Sequence, residues 1–336
     1  MIYLEEDVRT KDFDKFANLI GSKNTRELPI IEARNMEISN ENKLVMKNGG
    51  IKEFDLTNEG FTDLCSISAM PAQAAHRHMD RGLSVWRDAA NSFLRQNNEQ
   101  VKPIIRENRL VALRSPSYVL VPNEEVLDNM MKNMPDNYRF FTGIWTPARM
   151  RAIFTSNDHV VDIDGAKHFS GINLENGEGG RSSLWLKRNL FTDLCTNLTF
   201  FGERVMGAVF GIHRGRLADV YRQMMSQFYA NNKSFNDKMK DVLPIMASTR
   251  FPEDGRFAQY HKNNLEQVIG KRRTKEYQEE HRDNPDNRYY KEWWQTTSFA
   301  QRIKNQDLRC DLEQASSAIL NYVDKHKTSI KNSILN

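Results

Sequence analysis

Aromatic and basic residues alternate in two stretches of the chain, a pattern that could bind single-stranded nucleic acid. Proteins that bind single strands stack the bases on aromatic rings and follow the phosphate backbone with cations. The first stretch, residues 138–151, has Phe140, Phe141 and Trp145 between its candidate residues, which are Tyr138, Arg139, Arg149 and Arg151. Alternatively, these rings pack in the core while the long cationic side chains reach past them to water.

The second stretch is RYYKEWW, residues 288–294. It places four rings within six residues. Because one helix face cannot bury four such rings, this stretch predicts an interface with a partner or with a second copy of the chain.

Residues 181–222 are locally basic, with seven Lys or Arg against three Asp or Glu. Cations clustered in this way bind a phosphate backbone and release its counterions, so that salt weakens the binding. Six of them are candidate nucleic-acid-binding residues: Arg181, Lys187, Arg188, Arg204, Arg214 and Arg216. A solvated surface is the alternative, because the net charge of the chain is only +4.

Glycine-rich and acidic positions give weaker signals. The turn Asn176–Gly180 could form a backbone nest for phosphate, but it lacks the Walker pattern and is typical of a hairpin turn. Asp162 and Asp164 could hold a catalytic cation, as in a metal-dependent nuclease, although a turn before Gly165 is the simpler interpretation.

Histidine and cysteine positions add little. His76 and His78 are two residues apart, so on a helix they face different directions. Cys195 lies between leucines at helical spacing and is expected to be a core residue rather than a nucleophile. We therefore identify no catalytic or metal-binding residue, expect no cofactor, and favour a protein that is not an enzyme.

The composition limits the classes to which this protein can belong. The chain has 336 residues, of which 39% are hydrophobic and 27% charged, which is typical of a globular protein. No apolar run is long enough to cross a bilayer, and the acidic N-terminus does not resemble a secretory signal. Three widely spaced cysteines without a CxxC pair fit a reducing compartment. We expect a cytoplasmic protein, in the host cell if it is viral.

The helices and strands that position these residues can be predicted from the sequence. Their order indicates an α+β fold with a central, mostly antiparallel sheet and a mostly helical C-terminal half. Residues 1–100 form a mixed segment whose helix over residues 83–94 packs Leu83 and Phe93 against the core. Residues 101–215 form a strand-rich core, closed by a basic helix from about Asn189. Its strands include Arg109–Arg114 and Tyr118–Val121. Residues 216–336 are helical, with Pro244 ending one helix and a mobile loop near residues 271–287.

Two stretches of the central unit resemble a family of uncharacterised phage and plasmid proteins known as domain of unknown function 932. The first is Arg109–Met131, in which a strand, Tyr118 and the helix start at Asn123 follow one another. The second is Phe169–His213, with the turn that begins at Asn176. Members tend to have Ser where this chain has Gly177, and Gly where it has Leu198. The resemblance implies a protein of a phage or plasmid and no settled activity.

These observations lead to three functional hypotheses. The first is a phage or plasmid protein that binds nucleic acid, in particular single-stranded DNA, and acts in annealing, recombination or replication as a homo-oligomer. The second is an oligomeric structural or interaction protein, such as a viral component or an inhibitor of a host defence. The third is the metal-dependent nuclease.

Overall fold

A computed structural model of the protein describes residues 2–3, 6–47, 50–192, 203–204, 222, 226, 232–252, 255–282, 286–300 and 302–334. The predicted α+β class is confirmed, because two mostly antiparallel sheets are combined with a largely helical C-terminal half. Within the described residues, none of the helices is both long and apolar enough to cross a membrane.

The first sheet has the strand order β3-β8-β9-β7-β6-β5, with β1 beside β7 and β4 beside β8. Its strands are β1 (Ile2–Tyr3), β3 (Thr25–Glu27), β4 (Ile31–Glu32), β5 (Met36–Ile38), β6 (Leu44–Met46), β7 (Lys52–Thr57), β8 (Gln100–Arg106) and β9 (Arg109–Arg114). The predicted strand Arg109–Arg114 is therefore present. The domain boundary predicted at residue 100 cuts through this sheet, because β8 and β9 pair with strands from the first 60 residues.

Three helices pack on the first sheet: α2 (Asn58–Ile67), α3 (Ala72–Asp80) and α4 (Val85–Gln96). The Thr57 hydroxyl caps α2 by accepting the Gly60 N–H at 3.1 Å. On α4, Trp86 and Leu94 are buried, but Leu83 before it and Phe93 within it are 44% and 52% exposed. The predicted apolar face is thus narrower than expected.

The second sheet is antiparallel, with the strand order β14-β13-β12-β11-β10-β2. Its strands are β2 (Val8–Thr10), β10 (Tyr138–Trp145), β11 (Met150–Ile163), β12 (Ala166–Asn176), β13 (Trp185–Thr192) and β14 (Glu203–Arg204). Helices α1 (Phe13–Ser22) and α5 (Asn123–Lys132) pack on one face around Phe16, Leu127 and Phe154.

Between residues 232 and 334 the described part of the chain forms five helices: α6 (Asn232–Ser248), α7 (Arg256–Glu280), α8 (Tyr289–Ala300), α9 (Gln306–Ala315) and α10 (Ser317–Ile334). Apolar residues of α6, α8 and α10 share a core with β11 and β13. This core contains Trp293, which is fully buried.

Several predicted elements differ from the structure. Residues 118–121 are not a strand, and the Tyr118 hydroxyl donates to the Glu178 carbonyl at 2.7 Å. The chain from Asn189 to Thr192 continues β13 and does not begin a helix. Apolar residues spaced by four fit a strand as well as a helix, which explains this error.

The mobile loop predicted near residues 271–287 is also wrong over its first part, which belongs to α7. Ion pairs at i,i+4 support that helix, from Arg272 to Glu276 and from Lys275 to Glu279. Pro244 does not end its helix, since α6 continues to Ser248. The helix predicted over residues 217–231 lies outside the described residues, except that residues 222 and 226 are helical.

Candidate functional site

Glu175 is the centre of a buried group of charges on the second sheet. Arg151 is directly opposite it on β11 and donates to its carboxylate at 2.9 Å. The Lys187 ammonium lies 3.1 Å from the same carboxylate, and the Arg149 guanidinium lies 3.3 Å away. Burial alone would raise the pKa of Glu175, but these three cations hold it well below its ordinary value.

Helix α9 completes the charge balance of this centre. Asp307 accepts from Arg149 Nε at 2.5 Å, and the Asp311 carboxylate lies 3.0 Å from the Arg149 guanidinium. Asp311 also lies 3.4 Å from Arg151. Three carboxylates thus face three cations, so the centre joins α9 to the sheet. These three cations are paired within the chain.

Glu178 occupies the turn that was considered as a phosphate nest. Its carboxylate accepts from Thr25 Oγ1 at 2.7 Å and from the Asn123 N–H at 2.7 Å, and Arg106 Nη2 lies 3.4 Å away. These partners come from the first sheet and from the start of α5. The turn therefore joins the two sheets. The Glu178 carboxylate already accepts from the hydrogen-bond donors around it.

Gly177 lies at a point of close backbone approach in this turn. A Cβ atom there would lie 2.7 Å from the Ser182 nitrogen and 2.9 Å from the Ala148 oxygen. Such distances leave no room for a side chain, so this backbone requires glycine at position 177.

The structure describes the side chains of seven of the ten predicted nucleic-acid-binding residues, and these seven do not form one surface. Four are buried, namely Tyr138, Arg151, Lys187 and Arg188. The Arg188 guanidinium packs 5.6 Å from the Phe235 ring centre. Arg149 is largely buried in the Glu175 centre.

The remaining predicted cations lie apart. Arg181 is bound to Asp63 at 2.6 Å, and Arg139 is exposed. The backbone of Arg204 pairs with Lys187, and Arg214 and Arg216 lie outside the described residues. The electrostatic surface predicted from residues 138–216 therefore has only Arg139 and Arg181 as exposed residues among those whose side chains are described.

The rings of the RYYKEWW stretch pack within the chain, and the expected interface with a partner stays a prediction. Tyr289, Tyr290 and Trp293 are buried, and Trp294 is half-buried beside them. The Tyr290 hydroxyl lies 3.2 Å from Nε2 of the buried His168. One helix does bury these rings, because the second sheet covers one side of α8 and helices cover another.

The other candidate residues have structural partners. Asp162 lies 2.7 Å from His159, and Asp164 lies 3.1 Å from Arg288 at a hairpin turn. Within the part of the chain that the structure describes, no three His, Cys, Asp or Glu side chains are arranged to hold a metal. Cys195 lies outside the described residues.

A groove on the C-terminal helices offers a different basic site, one that the sequence analysis missed. It has a volume of about 570 Å³ and lies between the second half of α7 and residues 299–305. Phe299 and Ile303 form its apolar wall. Its cations are Arg273, Arg302 and Lys304, and the carboxylates of Glu276 and Glu280 also line it. In the described residues, neither Arg273 nor Lys304 has a carboxylate partner.

The geometry of this groove depends on a kink in α7. Gly270 has φ 76° and ψ 162°, which interrupts the helix just before Lys271-Arg272-Arg273. Arg302 packs 5.0 Å from the Phe299 ring centre and donates to Glu280 at 2.6 Å. This hydrogen bond lowers the pKa of Glu280. The basic run at residues 271–275 is visible in the sequence. It was predicted to lie in a mobile loop, and a groove was therefore not expected there.

Comparisons with protein-family models, with curated proteins and with solved structures found no match.

Proposed function

We propose that this protein binds single-stranded nucleic acid through the basic groove of α7 and residues 299–305. The observation that supports this proposal best is the position of Arg273 and Lys304. Both line one groove beside the ring of Phe299, and neither has a carboxylate partner among the described residues. Cations that line a channel next to an aromatic ring are what a single strand requires.

The exposed cations around the groove favour a phosphate backbone as the ligand. Lys271, Arg272 and Lys275 precede or flank Arg273 on the same helix and are exposed. Arg272 and Lys275 pair only with neighbouring glutamates at 3.6 Å, and such exposed pairs contribute little. A phosphate can therefore compete for these cations.

The role proposed for this binding is annealing, recombination or replication in a phage or plasmid. The resemblance of residues 109–131 and 169–213 to phage and plasmid proteins supports that role. The groove can bind a negatively charged ligand, but it offers no activated nucleophile, since Glu276 and Glu280 both pair with arginines. Binding without chemistry is accordingly the simplest function for it.

Fluorescence anisotropy with a labelled single-stranded oligonucleotide tests the proposal across a salt series. Three phosphate contacts, made by the groove cations Arg273, Arg302 and Lys304, predict a slope of about −2 for the logarithm of the association constant against that of salt concentration. The double variant Arg273→Ala/Lys304→Ala should weaken binding about tenfold or more and reduce the slope to about −0.7.

Arg77→Ala is the matched control, because Arg77 is an exposed cation on α3 of the first sheet. It should bind as the wild type does. Binding that is absent, independent of salt, or equal in the double variant and the wild type would refute the proposal.

A further inference from the structure

Helix α4 presents apolar side chains to solvent. Val85 and Phe93 on the helix are 60% and 52% exposed, and Leu83 just before it is also exposed. On the other side of the helix, Trp86 and Leu94 are buried in the core of the first sheet. Single exposed apolar residues are common on proteins, but several of them together mark a surface that binds another protein.

The exposed face of α4 has the spacing of a coiled-coil seam. Its residues are Val85, Ala89, Ser92 and Gln96, at intervals of four, three and four. They therefore lie in one line along the helix. Ser92 and Gln96 are exposed, and Ala89 is half-buried. Because the side chains at the centre of this seam are small, a second helix can approach it closely.

Two opposite charges lie on one side of this seam. Asp88 and Arg95 are seven residues apart, so they occupy equivalent positions on successive heptads. When two copies of α4 pack in antiparallel orientation about a two-fold axis, the same side of each seam meets. Asp88 of each copy then lies opposite Arg95 of the other, and the symmetry forms this ion pair twice. In a parallel pair this side would instead meet the side that carries Phe93.

Both charged side chains are available for such a contact. Asp88 is 66% exposed and Arg95 is 71% exposed. Their ion pairs within the chain are long, since Arg87 Nε lies 3.8 Å from Asp88 and Glu37 lies 4.0 Å from Arg95. The Ser84 hydroxyl also donates to Asp88 at 3.0 Å. Exposed pairs of this kind contribute little to stability, so a second copy can compete for both charges.

We propose that the protein forms a homodimer in which α4 packs antiparallel against α4 of a second copy. The seam and Phe93 form the contact, and the two Asp88–Arg95 pairs set its orientation. Because α4 has twelve residues and is about 18 Å long, the contact is small, below about 1,200 Å² in total. We therefore expect a reversible dimer with a Kd on the order of 10 μM.

This dimer is independent of nucleic-acid binding. Helix α4 packs on the first sheet, whereas the basic groove lies between α7 and residues 299–305. Sedimentation equilibrium of the full-length protein without nucleic acid tests for the dimer over a range of about 1 to 100 μM. The mean mass should rise from that of the monomer, 39.1 kDa, toward twice that value. A protein that stays monomeric at the highest concentration overturns the proposal.

A charge exchange tests the orientation. Asp88→Arg and Arg95→Asp should each weaken association about tenfold or more, because each places two like-charged pairs across the contact. The double variant Asp88→Arg/Arg95→Asp should restore the association, since the two ion pairs form again with their signs reversed. Residues seven apart on one helix are too distant to pair with each other, so this restoration requires contact between two copies.

Glu125→Arg is the matched control, because it reverses an exposed carboxylate on α5, on the second sheet. It should dimerise as the wild type does. Phe93→Ser should weaken dimerisation without any change of charge, and circular dichroism of every variant verifies that it is folded. A dimer that survives both single charge reversals, or a double variant that associates no better than the single ones, overturns the antiparallel pairing of α4.

Discussion

The carboxylate of Glu178 accepts the backbone N–H of Asn123 at 2.7 Å, at the first residue of α5. The first N–H groups of a helix have no partner within the helix, and the helix dipole favours a negative charge beside them. A residue 55 positions later in the chain therefore caps α5. The same carboxylate binds Thr25 and Arg106 of the first sheet, so one side chain holds three elements together.

Replacement of Glu178 by Gln should destabilise the protein by about 1–3 kcal/mol, because Arg106 and the α5 terminus lose a buried charged acceptor. Urea unfolding followed by circular dichroism measures the loss. Glu125→Gln is the control, since Glu125 is an exposed carboxylate in the first turn of the same helix and should change stability by less than about 1 kcal/mol. Equal losses in the two variants would show that the contacts of Glu178 do not stabilise the fold.

Acid should weaken the Glu175 centre. The folded-state pKa of Glu175 lies well below its ordinary value of 4.5. Its contribution is therefore fully present above pH 4.5 and is lost as pH falls through the folded-state value. Glu175→Gln should cost about 3–5 kcal/mol at pH 7, because Arg151 and Lys187 stay buried without their charged partner. The difference in unfolding free energy between wild type and variant should shrink below pH 4.5, and a constant difference down to pH 2 would contradict this account.

Removal of a competing carboxylate should strengthen nucleic-acid binding. Glu280 holds Arg302 at 2.6 Å and would have to release it to a phosphate. Glu280→Gln should raise the affinity for a single-stranded oligonucleotide several-fold, measured by anisotropy at low salt. Glu125→Gln removes the same charge from α5, which does not line the groove. An equal gain in both variants would indicate a general charge effect rather than the release of Arg302.

Gly270 should be required for the shape of the groove. Its φ of 76° and ψ of 162° lie in a region that residues with a side chain avoid. Gly270→Ala should cost about 1–3 kcal/mol and weaken oligonucleotide binding, because relief of the strain straightens α7. Gly255→Ala is the control: Gly255 also has positive φ and open space around it, but it lies at the other end of the helix. It should lose stability without losing affinity.

Cys65 should be unreactive in the native protein. It is buried, and burial raises the pKa of its thiol to about 11. Mass spectrometry after treatment with iodoacetamide at pH 8 should find the Cys65 peptide unmodified in the native protein and modified in urea. Modification under native conditions would show that this part of the first sheet opens readily.

The sequence was informative at several positions where the signal was local. Helix α5 begins at the predicted Asn123, and β9 spans the predicted Arg109–Arg114. The glycine-rich turn at residues 176–180 was likewise recognisable as a turn. Each of these depends on residues close in the chain, so the pattern and the structure agree.

The candidate site residues depend on partners that lie far away along the chain, and the predictions from the sequence were wrong for these residues. Lys187 looks like a surface cation until the register of β12 and β13 brings it near Glu175. The partner of Arg149, Asp307, lies 158 residues later in the chain. The kink at Gly270 depends on a backbone conformation that glycine permits but does not dictate. Pairings of this kind are set by topology, and spacing along the chain does not reveal them.

The docking of α9 on Arg149 and Arg151 also has a consequence for biosynthesis. The ribosome releases β11, β12 and β13 well before α9, and at ordinary translation speeds the delay is on the order of ten seconds. During that delay Glu175 alone faces three cations, so the surplus positive charge must stay hydrated. The sheet can close over this charge only when Asp307 and Asp311 arrive, which makes the docking of α9 a late step in the folding of the nascent chain.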